Sequence, residues 1–202
     1  DCITKKACEI AKNYGLTLKY IDIGGGFFGG LIDKPQFTDY FEMISKNLKT
    51  KFSPDDTALI VEPGMSLIGP SVSYITSVID IKKSLNAQFV ITDGSRTNID
   101  PLMSKNGYFH KFDLSDCARN TIARQIISGY TCVEADQLFS INNAQELRVG
   151  DKIIYDKVGA YTMTLSPLFI KYFPDVFLET NGELMLVRKK WSPNEYIQGS
   201  LL

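Results

Sequence analysis

Apolar positions recur with two different periods along this chain, and the change from one to the other divides it. Ile3, Ala7, Ile10 and Ala11 fall at helical spacing. They predict a helix from Asp1 to Tyr14 with that face inward, ended by Gly15. Leu18–Ile23 predicts a strand, because β-branched and aromatic types dominate it. Pro35 then starts a second helix over 36–50, with Phe37, Tyr40, Phe41, Ile44 and Leu48 as its apolar stripe. Ala58–Glu62 is an unbroken apolar run closing on an acid before Pro63-Gly64, which predicts a buried parallel strand. Residues 18–62 therefore read as β-loop-α-β.

From Ser71 the period shortens. Ser71–Ser84 alternates, and Gln88–Thr92 is a second strand ending at Asp93-Gly94. Tyr108–Phe112, Ala123–Ile127, Lys152–Tyr155, Asp175–Leu178 and Leu184–Val187 are further strands. Turns are predicted at Asn106-Gly107, Ser128-Gly129, Gly150-Asp151 and Asn181-Gly182. Ser192-Pro193 opens a short final helix as N-cap and first residue. The pattern gives two domains, an α/β part over 1–70 and an all-β part over 71–202.

Composition narrows the classes. The chain has 202 residues and 44% hydrophobic content, enough for a real core. Its 22 Lys+Arg balance 23 Asp+Glu, and no basic patch for nucleic acid forms. No apolar run is long enough to span a bilayer, and no signal-peptide pattern opens the chain, so no membrane partner is expected. Cys2, Cys8, Cys117 and Cys132 form no CxxC pair, and the single histidine, His110, cannot complete a usual zinc site. Reduced thiols in a cytoplasmic protein are expected, with no bound metal.

Glycine fills five of the seven positions from Gly24 to Gly30. A strand running into glycines lets backbone approach a ligand, and successive free N–H groups there suit an anion such as phosphate. Gly24-x-Gly26-x-x-Gly29 also fits the dinucleotide fingerprint, with Glu62 as the ribose acid. In that fingerprint the helix opens inside the glycine loop, whereas Gly30, Lys34 and Pro35 hold it off here. Three other stretches could carry chemistry. Glu62, at the end of a parallel strand, reads either as a barrel-site acid or as a strand-end cap. Thr131–Asp136 puts the Cys132 thiol beside Glu134 and Asp136, suited to proton transfer, or else buries a small side chain next to surface acids. Val158–Thr162 offers the Tyr161 hydroxyl two residues after a glycine, which read alone is core packing.

In this order, IDIGGGFFGG, VEPG, TDG, YTCVEAD and VGAYT resemble the pyridoxal-phosphate decarboxylases that include ornithine and diaminopimelate decarboxylases. The resemblance runs along nearly the whole chain. It implies fold-type III: the second part of a (β/α)8 barrel followed by a C-terminal β-sandwich or β-barrel domain. It implies pyridoxal 5'-phosphate as cofactor and loss of the α-carboxylate of an amino-acid-like small molecule. Gly25 and Gly26 would cradle the cofactor phosphate, Gly64 would lie under it, and Tyr161 would lie close to it. Glu62 would face the pyridine nitrogen, keeping the ring an electron sink. Cys132 would deliver a proton from the neighbouring subunit, which implies a homodimer. Glu134 and Asp136 would serve the substrate end, Asp136 also holding the loop in shape.

Departures from the family pattern set further expectations. Met65 stands where the family has an Arg after EPG, and Val133 where it has an acid after the cysteine. Asp100-Pro101 stands in place of Arg-Pro, so Asp100 is expected to repel a far carboxylate. A substrate other than a plain diamine precursor or free diaminopimelate is expected. The family's cofactor-bearing lysine and ring-stacking histidine lie upstream of the glycine loop, outside this chain. The N-terminal half of the same enzyme is therefore the expected partner. The alternative is a non-catalytic, decarboxylase-like binding protein.

Overall fold

A computed structural model describes residues 2–29, 33–114 and 118–201. Asp1, Gly30 and Cys117, named above, lie outside the described residues. The chain forms two compact units. One comprises Asp1–Tyr74 and Ile154–Ala160, the other Ile75–Ile153 and Tyr161–Leu202. Pattern alone gave no sign that Ile154–Ala160 returns to the first unit. Among the described residues no helix is long and apolar enough to cross a membrane.

The first unit opens with α1 (Cys2–Asn13). Its end is a Schellman motif: Gly15 takes φ +62, Leu16 N–H donates to the Ala11 carbonyl at 2.9 Å and Gly15 N–H to Lys12 at 3.4 Å. The predicted apolar face is buried only in part, through Ala11 and Ala7. Ile3 is 65% and Ile10 42% exposed, while Thr4 and Ala11 are buried. The helix is turned by polar contacts, since Asn47 Nδ2 donates to Thr4 Oγ1 at 3.0 Å and Cys8 Sγ reaches the Asn47 carbonyl.

Strands β1 (Tyr20–Asp22) and β2 (Ala58–Ile60) pair in parallel with Ile21 opposite Leu59. Helix α2 (Phe37–Leu48) joins them, opened by a capping box in which Gln36 N–H donates to the Asp39 carboxylate at 2.7 Å. The core is Ile21, Phe27, Ile44 and Leu48, with Ile23, Leu59 and Val61 packed against it. Alternation then sends Tyr20, Ala58 and Ile60 to the other face, where they are exposed. This corrects the reading of 58–62 as buried on both faces. Phe37 and Phe41 of the predicted stripe are also exposed and stack on each other. A short helix, α3 (Gly64–Ile68), and a 3-10 turn (Gly69–Ser71) follow. The returning segment is tied here, Val158 N–H donating to the Val72 carbonyl and Gly159 N–H to that of Gly69.

Eight further strands follow: β3 (Tyr74–Lys83), β4 (Gln88–Thr92), β5 (Phe109–Asp113), β6 (Thr121–Ser128), β7 (Gln137–Gln145), β8 (Lys152–Asp156), β9 (Val176–Thr180) and β10 (Glu183–Arg188). Six form one sheet in the order β5-β8-β3-β4-β6-β7, and β9 with β10 forms a hairpin. On the sheet's edge strands, the ring of His110 in β5 lies 4.1 Å from that of Phe139 in β7, so the two edges come together. Val78, Val90, Ile127 and Ile153 fill the interior. Two polar pairs lie inside it: Arg119 makes a fully buried ion pair with Asp151, and Gln88 Nε2 donates to Gln125 Oε1 at 3.2 Å. The all-β reading is corrected by two single-turn helices, α4 (Arg96–Ile99) and α5 (Thr162–Leu165), while α6 (Pro193–Tyr196) is the short final helix predicted after Ser192.

Candidate functional site

In the first unit the glycine loop runs along the turn after β2. Glu62 N–H donates to the Gly24 carbonyl at 2.8 Å, and Gly24 N–H to Asp22 Oδ1 at 2.9 Å. The approach is closer than a side chain permits. A Cβ on Gly25 would stand 2.6 Å from the Glu62 carbonyl oxygen, and one on Gly29 would stand 2.6 Å from that of Ser66. Gly24 and Gly26 have φ of +69 and +84, the left-handed region open to glycine. Among the described residues the N–H groups of Gly25 and Gly26 meet no acceptor, and both residues are exposed. The exposed Glu62 carboxylate also has no partner among them. Gly64 is the first residue of α3, so its N–H has no acceptor within the helix. Two free donors beside a free carboxylate fit a ligand carrying an anion and a protonated ring nitrogen.

Gly159 is a third forced glycine: a Cβ there would collide with the Ile68 carbonyl and the Val72 side chain. Two residues on, Tyr161 takes φ +61 and is 57% exposed. The glycine loop and Glu62 belong to the first unit, Tyr161 and the cysteine loop to the second.

The cysteine loop is built around Asp136. Its carboxylate is buried and accepts four hydrogen bonds, from Ser95 Oγ (3.0 Å), Arg96 N–H (2.7 Å), Thr131 N–H (3.1 Å) and Thr131 Oγ1 (2.6 Å). Gly129 has no Cβ because that carboxylate fills the space. The four donors saturate Asp136, so it organises the loop and has no acceptor left for a substrate. Cys132, Val133 and Glu134 are exposed on the same loop, and Cys132 is a free thiol.

Asp100 faces no substrate. It is 2% exposed and bonds to Arg96 Nε at 3.0 Å, Lys105 N–H at 3.0 Å, Ser104 N–H at 3.1 Å and the Tyr108 hydroxyl at 3.1 Å. Burial raises its proton affinity, but these bonds outweigh burial and hold the carboxyl below its ordinary value. Burial and the Asp100 charge push the Tyr108 phenol up to about 12. The expectation that Asp100 repels a far carboxylate is thus overturned, because its charge is spent on Arg96. Ser95, Arg96 and Lys171 all bear on the loop and were missed from sequence. Only Ser95 left a signal, as an N-cap residue before a short turn.

Residues 3–69 match the family described as pyridoxal-dependent decarboxylase, pyridoxal binding domain. The chain is 28% identical over 169 residues to the diaminopimelate decarboxylase of Helicobacter pylori strain J99, covering 81% of this chain and 40% of that protein. A crystal structure from Aquifex aeolicus superposes with a TM-score of 0.78 at 22% identity, over 98% of this chain and 50% of that one. A mutant form of diaminopimelate decarboxylase from Helicobacter pylori, complexed with L-lysine, gives 0.76 at 25% identity, over 97% and 49%. The chain spans about half the length, or less, of these relatives.

Proposed function

We propose that this chain, which belongs to the fold-type III pyridoxal-phosphate-dependent decarboxylases, supplies part of the site for decarboxylating an amino-acid-like substrate. Pyridoxal phosphate is the cofactor, and when bound it accepts the electron pair left by departing CO₂. The observation that carries the proposal is the bare glycine loop: free Gly25 and Gly26 N–H groups beside the free Glu62 carboxylate. The two N–H groups hold the phosphate. Glu62 keeps a proton on the ring nitrogen. Gly64 would add a backbone donor, and the resemblance alone assigns Tyr161 to the phosphate. Met65 brings no charge, so the backbone amides carry more of that load than an arginine would leave them.

Cys132 holds a proton on an exposed loop fixed by Asp136 and delivers it to the substrate carbon, acting across a homodimer. Glu134 is the loop acid free to meet substrate, one residue further from the cysteine than Val133. Residues 1–70 would form part of the barrel and 71–202 the β domain, apart from Ile154–Ala160, which joins the first unit; an N-terminal half of the same enzyme would complete the barrel. Replacing Cys132 with Ala tests the role of the thiol. Turnover in the full-length enzyme should fall roughly a hundredfold or more, as for loss of a general acid. Unchanged turnover would remove Cys132 from the chemistry.

A further inference from the structure

Lys171 stands where the chemistry-bearing segments of the second unit meet. Its ammonium donates to the Asp93 carbonyl at 2.9 Å and lies 4.1 Å from the centroid of the Tyr130 ring. Tyr130 is two residues before Cys132, and its N–H donates to the Gly94 carbonyl at 3.2 Å. The Asp93–Arg96 turn, the cysteine loop and Lys171 therefore form one contiguous surface.

An ammonium carries three donors. The Asp93 carbonyl takes one and the ring face engages a second side. A third direction stays open, and no acidic side chain among the described residues pairs with it. The backbone carrying Lys171 is held against its own preference. Ile170 has φ 69, where a β-branched residue is a true outlier, so the surrounding structure fixes the loop. Anchored on two sides, the charge is preorganised rather than free to wander.

The acids that could instead hold an amine here are mostly occupied. Asp136 is saturated, Asp100 is paired with Arg96, and Asp93 gives one carboxylate oxygen to the Ser77 N–H at 2.7 Å. The residue after the cysteine is Val133, and only Glu134 of the loop has no partner among the described residues.

We propose that Lys171 binds a carboxylate at the end of the substrate away from the reacting carbon. This rests on reading the Cys132 loop as the one that meets substrate. It makes the substrate an amino acid with an anionic far end.

Protection of Cys132 tests it. Alkylation by iodoacetamide is followed at that residue by peptide mass spectrometry in the full-length protein, with glutarate or 1,5-diaminopentane added. Glutarate should slow alkylation and the diamine should not. Lys171→Met should raise the glutarate concentration needed by about tenfold or more, the usual strength of a charged hydrogen bond. Lys171→Arg should keep the protection, and Lys171→Glu should transfer it to the diamine. Protection by the diamine alone in the native protein, protection by neither, or glutarate protection unchanged in Lys171→Met would each overturn the proposal. Failure of the decarboxylase reading itself would show separately, as absence of pyridoxal phosphate binding.

Discussion

Single atoms decide most of what this chain can do. At Gly25 even a methyl group is too large, because its Cβ would stand 2.6 Å from the Glu62 carbonyl oxygen. Gly25→Ala should therefore spread the loop and weaken cofactor binding at least tenfold, measured by titration. Gly26→Ala has open space around it and meets only the cost of φ +84, about 1–2 kcal/mol. It should lower thermal stability more than it perturbs the turn at Glu62. Asp136→Asn puts an NH₂ group among four donors that need an acceptor. A loss of about 2 kcal/mol or more is expected in urea unfolding, with faster alkylation of Cys132. Asp100 sets an acid limit. Its folded proton affinity lies below the unfolded value, so it stabilises the fold above the ordinary carboxylate range. That contribution fades as pH falls through the folded value. Asp100→Asn should cost about 1.5–3 kcal/mol near neutrality by removing the carboxylate that pairs with half-buried Arg96. It should also flatten the acid limb of the stability curve.

At the scale of elements, what was legible in the sequence depended on whether a signal was local. The β9–β10 turn was readable because Asn181-Gly182 carries its own conformation, with φ of 54 and 83. Gly182→Val should destabilise the hairpin by about 1–2 kcal/mol in thermal unfolding, since a β-branched residue resists that region. The α6 cap was equally local: Ser192 Oγ takes the Asn194 N–H, and Glu195 returns to the Ser192 N–H. Strand β7 was not legible. Its residues QLFSINNAQ lie at a sheet edge with only Leu138 fully buried, so neither alternation nor β propensity marks it. The face of α1 was legible only in part, for another reason. Ile3 and Ile10 outrank Thr4 in hydrophobicity, but Thr4 has Asn47 to bond, and that partner is on a different helix.

At the scale of the molecule, the glycine loop and the acid after β2 were visible because each is a short run with a fixed spacing to its strand. The setting of Lys171, proposed above to meet the far end of the substrate, was not. Lys171 meets Tyr130 and Asp93 only through the folded chain, and nothing in its neighbours marks it. The Asp100 expectation failed similarly, because its partner Arg96 is four residues back on a turn the pattern did not show.

The central claim is that backbone amides of Gly25 and Gly26 hold a phosphate beside Glu62. The most direct measurement is calorimetric titration with 4'-deoxypyridoxine 5'-phosphate, which cannot react with lysines, against the same ring without its phosphate. The phosphorylated ring should bind far more tightly, and Gly25→Ala should erase the difference. Equal binding of the two rings, or a preference indifferent to Gly25→Ala, would contradict the claim.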